Sequence, residues 1–240
     1  MLENIKSEDV LFLDIETVPQ HPNFESLTKV FQDLWEKKSS YFRKEDELAS
    51  DVFNRAGIYA EFGKIICISV ILIILRQGEK FFRLKSFFSD DEKKLLVDFS
   101  DMLTKFSGRT EPRLCAHNGK EFDFPYLARR MLINDLKLPE LLDVAGKKPW
   151  EVKFLDTLEL WKFGDYKHYT SLNLLANIFN IPTPKDDIDG SMVADVYWKE
   201  NNLKRIVDYC EKDVLTIAQL FLRYKGEKLI DPENIERATD

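Results

Sequence analysis

The stretch VLFLDIETVPQHP, from Val10 to Pro22, ends an apolar segment with two carboxylates. Residues 10–13 and 15 are apolar and predict a strand that is buried on both faces. Asp14 and Glu16 lie in its last part, and Thr17 follows them before the proline at position 19. Side chains at i and i+2 of a strand point to the same face, about 6–7 Å apart. The sequence therefore predicts a core strand that presents two acids to one side.

Two anions this close repel each other unless they are protonated or bound to a cation. Oxygen-rich clusters of this kind suit Mg²⁺ or Mn²⁺. The strand end is also where open α/β sheets place their ligands. Taken alone, however, Asp14 and Glu16 are better explained as a solvated strand end, because short motifs often occur by chance.

The composition fits a globular protein. The chain has 240 residues, of which 44% are hydrophobic, so it can build a sizeable core as one large domain or two small ones. Its net charge of −7 argues against a generic basic coat for nucleic acid. It is compatible with a nucleic-acid enzyme whose positive potential is local or comes from bound metal.

Targeting and redox signals predict a cytoplasmic protein with no membrane partner. Cys67, Cys115 and Cys210 lie among apolar neighbours without paired spacing, which favours a reducing compartment. The first ten residues lack a signal-peptide pattern. The apolar run Ile65–Leu75 is about half the roughly 20 residues of a membrane helix, and its β-branched content favours a central strand.

Strand and helix patterns alternate along the chain. Strands are predicted near residues 9–16, 64–75, 80–87 and 112–119, and a strand-to-helix step near 152–161. Helices are predicted near 90–106, 123–135, 171–181 and 202–224. Residues 24–56 read as a helical insertion with no core pattern of its own, and residues 226–240 as a loose tail. This order indicates an α/β protein with helices on both faces of a sheet.

A second polar stretch, CAHNGKEFDFPYL, links a strand to a helix. Asn118 and Gly119 follow the strand, and Asp123 is expected as the N-cap of the helix, with Pro125 in its first turn. An ordinary cap is the simpler explanation of Asp123 when this stretch is considered alone.

A third stretch, IVDYCEKDVLTIAQLFLRY, places Asp213 in the apolar stripe of a helix. Tyr209 lies four residues earlier on the same face. An ionised carboxylate there is costly unless something pairs with it. Asp213 is therefore either a buried acid paired with a distant Lys or Arg, or a metal ligand with the Tyr209 hydroxyl beside it.

Three short motifs occur in this order along the chain, namely Asp14-x-Glu16, Asn118-x3-Phe122-Asp123 and Tyr209-x3-Asp213. They resemble the three exonuclease motifs of the DEDD 3′–5′ exonuclease superfamily, in the branch that uses tyrosine. Three longer stretches are similar to stand-alone predicted exonucleases related to the proofreading domain of family-B DNA polymerases, namely YAEFGKIICISV, AHNGKEFDFPYLARR and SLNLLANIF. The resemblance extends roughly from residue 9 to 224. Residues 1–225 are thus expected to form one exonuclease domain, with the insertion at about 24–56, and 226–240 a C-terminal tail.

The resemblance implies a ribonuclease-H-like fold, a mixed five-stranded central sheet flanked by helices. It implies a 3′–5′ exonuclease that releases nucleoside 5′-monophosphates from a single-stranded 3′ end, DNA more than RNA. Two divalent cations, Mg²⁺ or Mn²⁺, would be held by four carboxylates, and Tyr209 would orient the attacking water. The implied metal ligands are Asp14, Glu16, Asp123 and Asp213, and the implied substrate-binding residues are Thr17, Asn118 and Phe122.

Several alternatives remain open at this point. The motifs do not separate DNA from RNA, since that discrimination needs contacts at the 2′ position. A catalytically silent nucleic-acid-binding domain and a metal-dependent phosphatase or nucleotide hydrolase are the competing classes. His117 is expected to be structural and His168 to lie on the surface or beside substrate, while Lys120 and Arg130 are weak candidates for phosphate contacts.

Overall fold

A computed structural model describes residues 2–165, 169–182 and 187–238. Six strands form one sheet: β1 (Val10–Pro19), β2 (Gly63–Arg76), β3 (Glu79–Phe88), β4 (Arg113–Ala116), β5 (Leu155–Asp156) and β6 (Ile235–Arg237). Seven α-helices accompany them in the described ranges: α1 (Lys29–Ser39), α2 (Glu92–Ser107), α3 (Asp123–Ile133), α4 (Thr157–Lys162), α5 (Leu172–Ile178), α6 (Val193–Trp198) and α7 (Leu203–Tyr224).

The sheet is mixed, and its strand order is β5-β4-β1-β2-β3-β6. β1, β2 and β3 form an antiparallel meander, while β4 runs parallel to β1 and β5 parallel to β4. The two-residue turn between β2 and β3 has positive φ at both Gln77 and Gly78, which suits the right-handed twist of a hairpin. The first five strands have the arrangement expected of a ribonuclease-H-like fold.

β1 lies at the centre of the sheet and carries a core on each face. Leu11, Leu13 and Ile15 belong to the cluster with α2 and α3. Val10 and Phe12 point to the other face and belong to the cluster with α7, where the rings of Phe12 and Phe221 are 5.3 Å apart. The period-2 alternation of a strand thus assigns its odd and even positions to different layers.

The expected loose tail adds a sixth strand. β6 pairs in parallel with β3, at the edge of the sheet. The Gln219 side chain fixes the approach of the tail, because it donates to the Ile230 carbonyl over 2.6 Å and accepts from the Ile230 N–H over 3.0 Å. The prediction of five strands is therefore wrong by one short edge strand, and the boundary of the exonuclease domain at residue 225 stays a prediction.

The helical insertion has a core of its own, contrary to the sequence-based expectation. Trp35 is fully buried and donates from its indole N–H to the Ala49 carbonyl over 2.8 Å. Its ring centroid lies between 5.2 and 6.0 Å from those of four other aromatic residues, namely Phe42, Phe53, Tyr59 and Phe62. Edge-to-face packing of this kind stabilises a small aromatic cluster beyond its buried area.

The apolar run considered as a membrane segment is a central strand. Residues 65–75 lie within β2, which pairs with β1 on one side and β3 on the other. None of the helices in the described ranges combines the length and apolarity needed to cross a membrane. The cytoplasmic location stays a prediction.

Candidate active site

The acidic end of β1 faces α7. Asp14 and Glu16 continue the row begun by Val10 and Phe12, so this face of the strand changes from apolar to acidic. β4 pairs with β1 only as far as Phe12, which leaves the acidic end beyond the end of β4. A register shift between Glu16 and Thr17 then breaks the ladder with β2. Such irregularities re-aim side chains next to functional sites.

α7 packs against β1 and brings the third motif to these acids. The Cys210 thiol donates to the backbone carbonyl of Asp14 over 3.4 Å. Tyr209 and Asp213 are half-buried and lie one turn apart, and the Tyr209 hydroxyl donates a hydrogen bond to the Asp213 carboxylate. The predicted apolar stripe of α7 is confirmed, since Ile206, Cys210, Ile217 and Leu220 are all fully buried.

Asp123 enters the site from the first residue of α3. The expectation that Asp123 is the N-cap is wrong, because Phe122 occupies that position and Asp123 has already joined the helix. Its carboxylate, only 4% exposed, accepts a hydrogen bond from the backbone N–H of Ile15. The carboxylate also accepts from the backbone N–H of Asp123 itself, so it connects the β1 backbone just beyond the end of β4 to the first residue of α3.

The electrostatics show that the carboxylates of all three motifs converge. Burial raises the pKa of Asp14 well above its usual value, and the charges of Glu16, Asp213 and Asp123 raise it further. Burial and the charge of Asp213 likewise raise the pKa of Glu16. Burial raises the pKa of Asp123 to about 7. The charges of the neighbouring acids thus make ionisation of Asp14 and Glu16 harder.

The donor set fits a divalent cation. Asp14 Oδ2 is buried and has no hydrogen-bond partner among the described residues. One ligand atom each of Asp14, Glu16 and Cys210 lies within 4.8 Å of the other two. Carboxylate oxygens are preferred by Mg²⁺ and Mn²⁺, whereas a thiol is not. The unpartnered oxygen and the mutual repulsion are what a bound cation would relieve.

Comparison with known protein families assigns the chain to a family. A family described as predicted 3′–5′ exonucleases related to the exonuclease domain of PolB matches residues 58–237. The chain belongs to this family. The matched range of the PolB-related exonuclease family contains Asp123, Tyr209 and Asp213, whereas Asp14 and Glu16 precede it. The structure nevertheless places β1 between β2 and β4, so all three motifs meet at one site.

Comparisons with curated proteins and with solved structures do not extend this family assignment. No curated protein matches the chain. Among solved structures, the family-B DNA polymerase of the hyperthermophilic archaeon Pyrobaculum calidifontis is similar, with 16% sequence identity and a TM-score of 0.49 over 89% of this chain. The chain covers 24% of that polymerase, so it corresponds in extent to about a quarter of the larger protein.

Two of the three predicted substrate-binding residues in this member of the PolB-related exonuclease family, Thr17 and Phe122, contact Tyr126. The Tyr126 hydroxyl hydrogen-bonds Thr17 and donates to the Gly57 carbonyl over 2.7 Å. The Phe122 ring packs 5.3 Å from that of Tyr126. Asn118 adopts a left-handed conformation with φ of 61° at the exit of β4. The structure thus joins Thr17 and Phe122 through one buried tyrosine, and their contacts with substrate stay a prediction.

Asp156, which the sequence analysis did not single out, organises the second motif. Its carboxylate is 2% exposed and accepts from the backbone N–H groups of Asn118 (2.9 Å), Lys120 (3.1 Å) and Leu158 (2.9 Å). It therefore caps α4 and holds the loop that leads to Asp123. The signal was present in the sequence, because an Asp followed three residues later by Glu159 is a helix-start pattern.

A cleft of about 440 Å³ opens beside the acids of the candidate site. Asp14, Tyr209 and Asp213 form one part of its lining, and His117 and Tyr169 form another. His117 is hydrogen-bonded through both ring nitrogens, as expected for a structural residue, but it also borders the cleft. His168, which was expected on the surface or beside substrate, lies outside the described residues.

Proposed function

We propose that this protein is a metal-dependent 3′–5′ exonuclease. It hydrolyses the phosphodiester bond at a single-stranded 3′ end of nucleic acid, DNA more than RNA, and releases nucleoside 5′-monophosphates with the help of two Mg²⁺ or Mn²⁺ ions. The observation that carries the proposal is the convergence of carboxylates from three motifs on Asp14. Burial and the charges of Glu16, Asp213 and Asp123 raise its pKa, and its Oδ2 has no hydrogen-bond partner among the described residues.

The cations would be held by Asp14 and Glu16 from β1, Asp123 from α3 and Asp213 from α7. When bound, divalent cations of this kind activate the attacking water and stabilise charge on the leaving 3′ oxygen. The carboxylates alone would repel a phosphate, so the same acids that bind the cations also make the site dependent on them.

Tyr209 would orient the attacking water. Burial and the charges of Asp213, Glu16 and Asp14 raise the pKa of its phenol far above neutral pH, so the hydroxyl stays protonated. A protonated phenol is a poor general base at neutral pH, but it can hold a water molecule beside the phosphate by hydrogen bonding. The hydrogen bond that it makes to Asp213 fixes its position.

Thr17, Asn118 and Phe122 would bind the 3′-terminal nucleotide next to these acids. Phe122 is half-buried and follows the loop held by Asp156, and Thr17 follows the acids on β1. Aromatic rings stack on nucleobases with little sequence preference, and hydroxyl and amide groups bind the sugar–phosphate backbone.

The decisive experiment follows the fate of labelled strands. Single-stranded DNA and RNA with a 5′ label are incubated with the protein in Mg²⁺, in Mn²⁺ and in EDTA. We expect ladders that shorten from the 3′ end in both metals, faster on DNA, and no products in EDTA. Intact strands under every metal would contradict the proposal and favour a silent nucleic-acid-binding domain, and faster loss of RNA would reverse the assigned preference.

Replacing Asp14 tests the site itself. Asp14→Asn keeps the shape of the side chain but removes the charge that binds cations, so we expect kcat to fall by about 10³-fold or more. Circular dichroism should show an unchanged fold. The matched control is Asp195→Asn on α6, where the carboxylate forms a solvent-exposed ion pair with Lys199, and its kcat should equal that of the wild type.

A further inference from the structure

Tyr169 occupies a position in the cleft that core packing does not explain. Its side chain is 64% exposed, and it lines the same 440 Å³ cleft as Asp14, Tyr209 and Asp213. Single exposed aromatic residues are common on surfaces, but this one borders the acids of the site. A volume of this size lies within the range of about 300–1,000 Å³ typical of small-molecule pockets, so it suits a single nucleotide.

The hydroxyl end of Tyr169 faces the acids. The charges of Asp213, Asp156, Asp123 and Asp14 add to partial burial in raising the pKa of its phenol. Because Tyr169 lines the same cleft as Asp14 and Asp213, a 3′-terminal nucleotide held in front of those acids would lie beside its ring.

His117 holds the ring in place. Burial lowers the pKa of His117, so the imidazole is neutral at neutral pH. The Thr170 carbonyl, 3.1 Å from Nε2, can only accept, which assigns the ring proton to Nε2 and leaves Nδ1 to accept from the Thr157 hydroxyl over 2.9 Å. His117 thus ties the backbone next to Tyr169 to α4, and the two rings meet edge to face with centroids 6.2 Å apart.

We propose that Tyr169 is a substrate-binding residue that stacks on the unpaired base at the 3′ end and selects single-stranded ends. This inference rests on the proposed exonuclease function. A base exposes its face to a protein ring only after it has left the duplex stack, so a stacking residue at the reacting end favours frayed or single-stranded substrates.

The first test separates stacking from other roles in steady-state kinetics. On a single-stranded oligonucleotide in Mg²⁺, Tyr169→Ala should raise KM about tenfold and change kcat less than about threefold, because base–aromatic stacking contributes to binding. Tyr169→Phe keeps the ring and should keep the wild-type KM. The matched control is Trp150→Ala, since Trp150 is 77% exposed and outside the lining of the cleft.

A strand that ends in an abasic 3′ residue provides the second test. On this strand the wild type and Tyr169→Ala should have equal KM, because the partner of the ring is missing. A merely structural role would raise KM on both strands. Equal KM values for the two proteins on the normal strand would overturn the inference while the exonuclease function stands.

Binding measured without turnover keeps the two proposals distinguishable. Fluorescence anisotropy of a labelled strand in Ca²⁺ should show a Kd about tenfold weaker for Tyr169→Ala than for the wild type. If the wild type binds but never cleaves, the exonuclease function fails and this comparison still decides the role of Tyr169. Equal affinities would then refute stacking.

Discussion

Asp14 occupies a position that a core strand would ordinarily give to an apolar side chain. On the same row of β1, Val10 and Phe12 are fully buried against α7. The next two members, Asp14 and Glu16, are acids whose raised pKa values record the cost of burying charge without a counter-ion. Titratable residues with pKa values perturbed in this way cluster at functional sites, which agrees with the proposed role of these two acids.

Tyr209→Phe should slow the reaction without weakening cation binding. The phenyl ring keeps its place on α7, but the hydroxyl that orients the water is lost, so we expect kcat to fall by about 10²-fold. Cation affinity measured by calorimetry should be unchanged. Tyr224→Phe is the matched control, because the Tyr224 hydroxyl is buried without a hydrogen-bond partner in the described chain. An unchanged kcat for Tyr209→Phe would show that the hydroxyl has no part in hydrolysis.

Gly63→Ala should destabilise the fold next to the substrate-binding residues. A Cβ at position 63 would lie 2.2 Å from the Tyr126 hydroxyl and 2.6 Å from the Gly57 carbonyl, and so disturb the bond between them. We expect urea unfolding to show a loss of about 1–3 kcal/mol. Gly108→Ala is the control, since its nearest contact is an ordinary 3.6 Å, and a similar loss there would contradict the clash.

Single residues divide into those the sequence could reveal and those it could not. Asp14, Glu16, Asp123 and Asp213 were predictable because they form an ordered set of motifs, and the structure brings them together. Tyr169 was not predictable, because its proposed role depends on where the irregular segment that carries it lies relative to β1. Sequence spacing carries no information on such distances.

At the scale of elements, α2, α3 and β2 are joined by one buried ion pair. Arg130 was a candidate for phosphate contacts, but it is 4% exposed and its Nε donates to Glu92 over 2.9 Å. Glu92 also accepts from the Ile65 backbone N–H over 2.7 Å, and Arg130 also donates to the Ala60 carbonyl over 2.8 Å. The expectation of a phosphate contact for Arg130 is therefore wrong.

Arg130→Met should cost about 3–5 kcal/mol in free energy of unfolding, because it leaves Glu92 buried without its partner. Urea denaturation measures the loss, and adding Glu92→Gln to the variant should recover part of it. The control is Lys199→Met in an exposed pair with Asp195, which should cost less than about 1 kcal/mol. Equal losses in the two pairs would show that burial of the Arg130 pair is unimportant.

Elements with strong periodicity were predictable, and elements defined by tertiary contacts were not. α7 was expected at 202–224 and spans Leu203–Tyr224, because its apolar stripe repeats at helical spacing. β6 has only three residues, and its pairing with β3 depends on the docking of Ile230 against Gln219. The aromatic residues around Trp35 follow no helical or strand period, so their common core was invisible in the sequence.

At the scale of the whole molecule, stability should depend on pH and cations together. The pKa of Asp123 is raised to about 7, above the usual value near 4 that it regains on unfolding. Between these values the folded state binds more protons than the unfolded state, so stability falls as pH rises through this window. In EDTA we expect a loss on the order of a few kcal/mol between about pH 5 and 8.

Urea unfolding at about pH 5 and at about pH 8, with and without Mg²⁺, measures the loss of stability. The cation should restore stability most at pH 8, where the carboxylates are ionised and binding is strongest. Asp123→Asn removes one of the titrating groups and should flatten the dependence. The prediction concerns the free energy of unfolding of the wild type in EDTA, compared with that of Asp123→Asn. If this quantity stays constant or rises from about pH 5 to about pH 8, the predicted repulsion is contradicted.

The contact between the Cys210 thiol and the Asp14 carbonyl joins residues that are 196 positions apart. At a ribosomal rate of about 5–20 residues per second, β1 emerges roughly 10–40 seconds before the helix that completes its site. The strand can pair with β2 and β4 in that interval, but Tyr209 and Asp213 are still missing. A chain in the course of synthesis thus carries only part of the cation site, and nuclease activity should arise only when α7 docks. The proposed nuclease would therefore become competent only when folding is nearly complete.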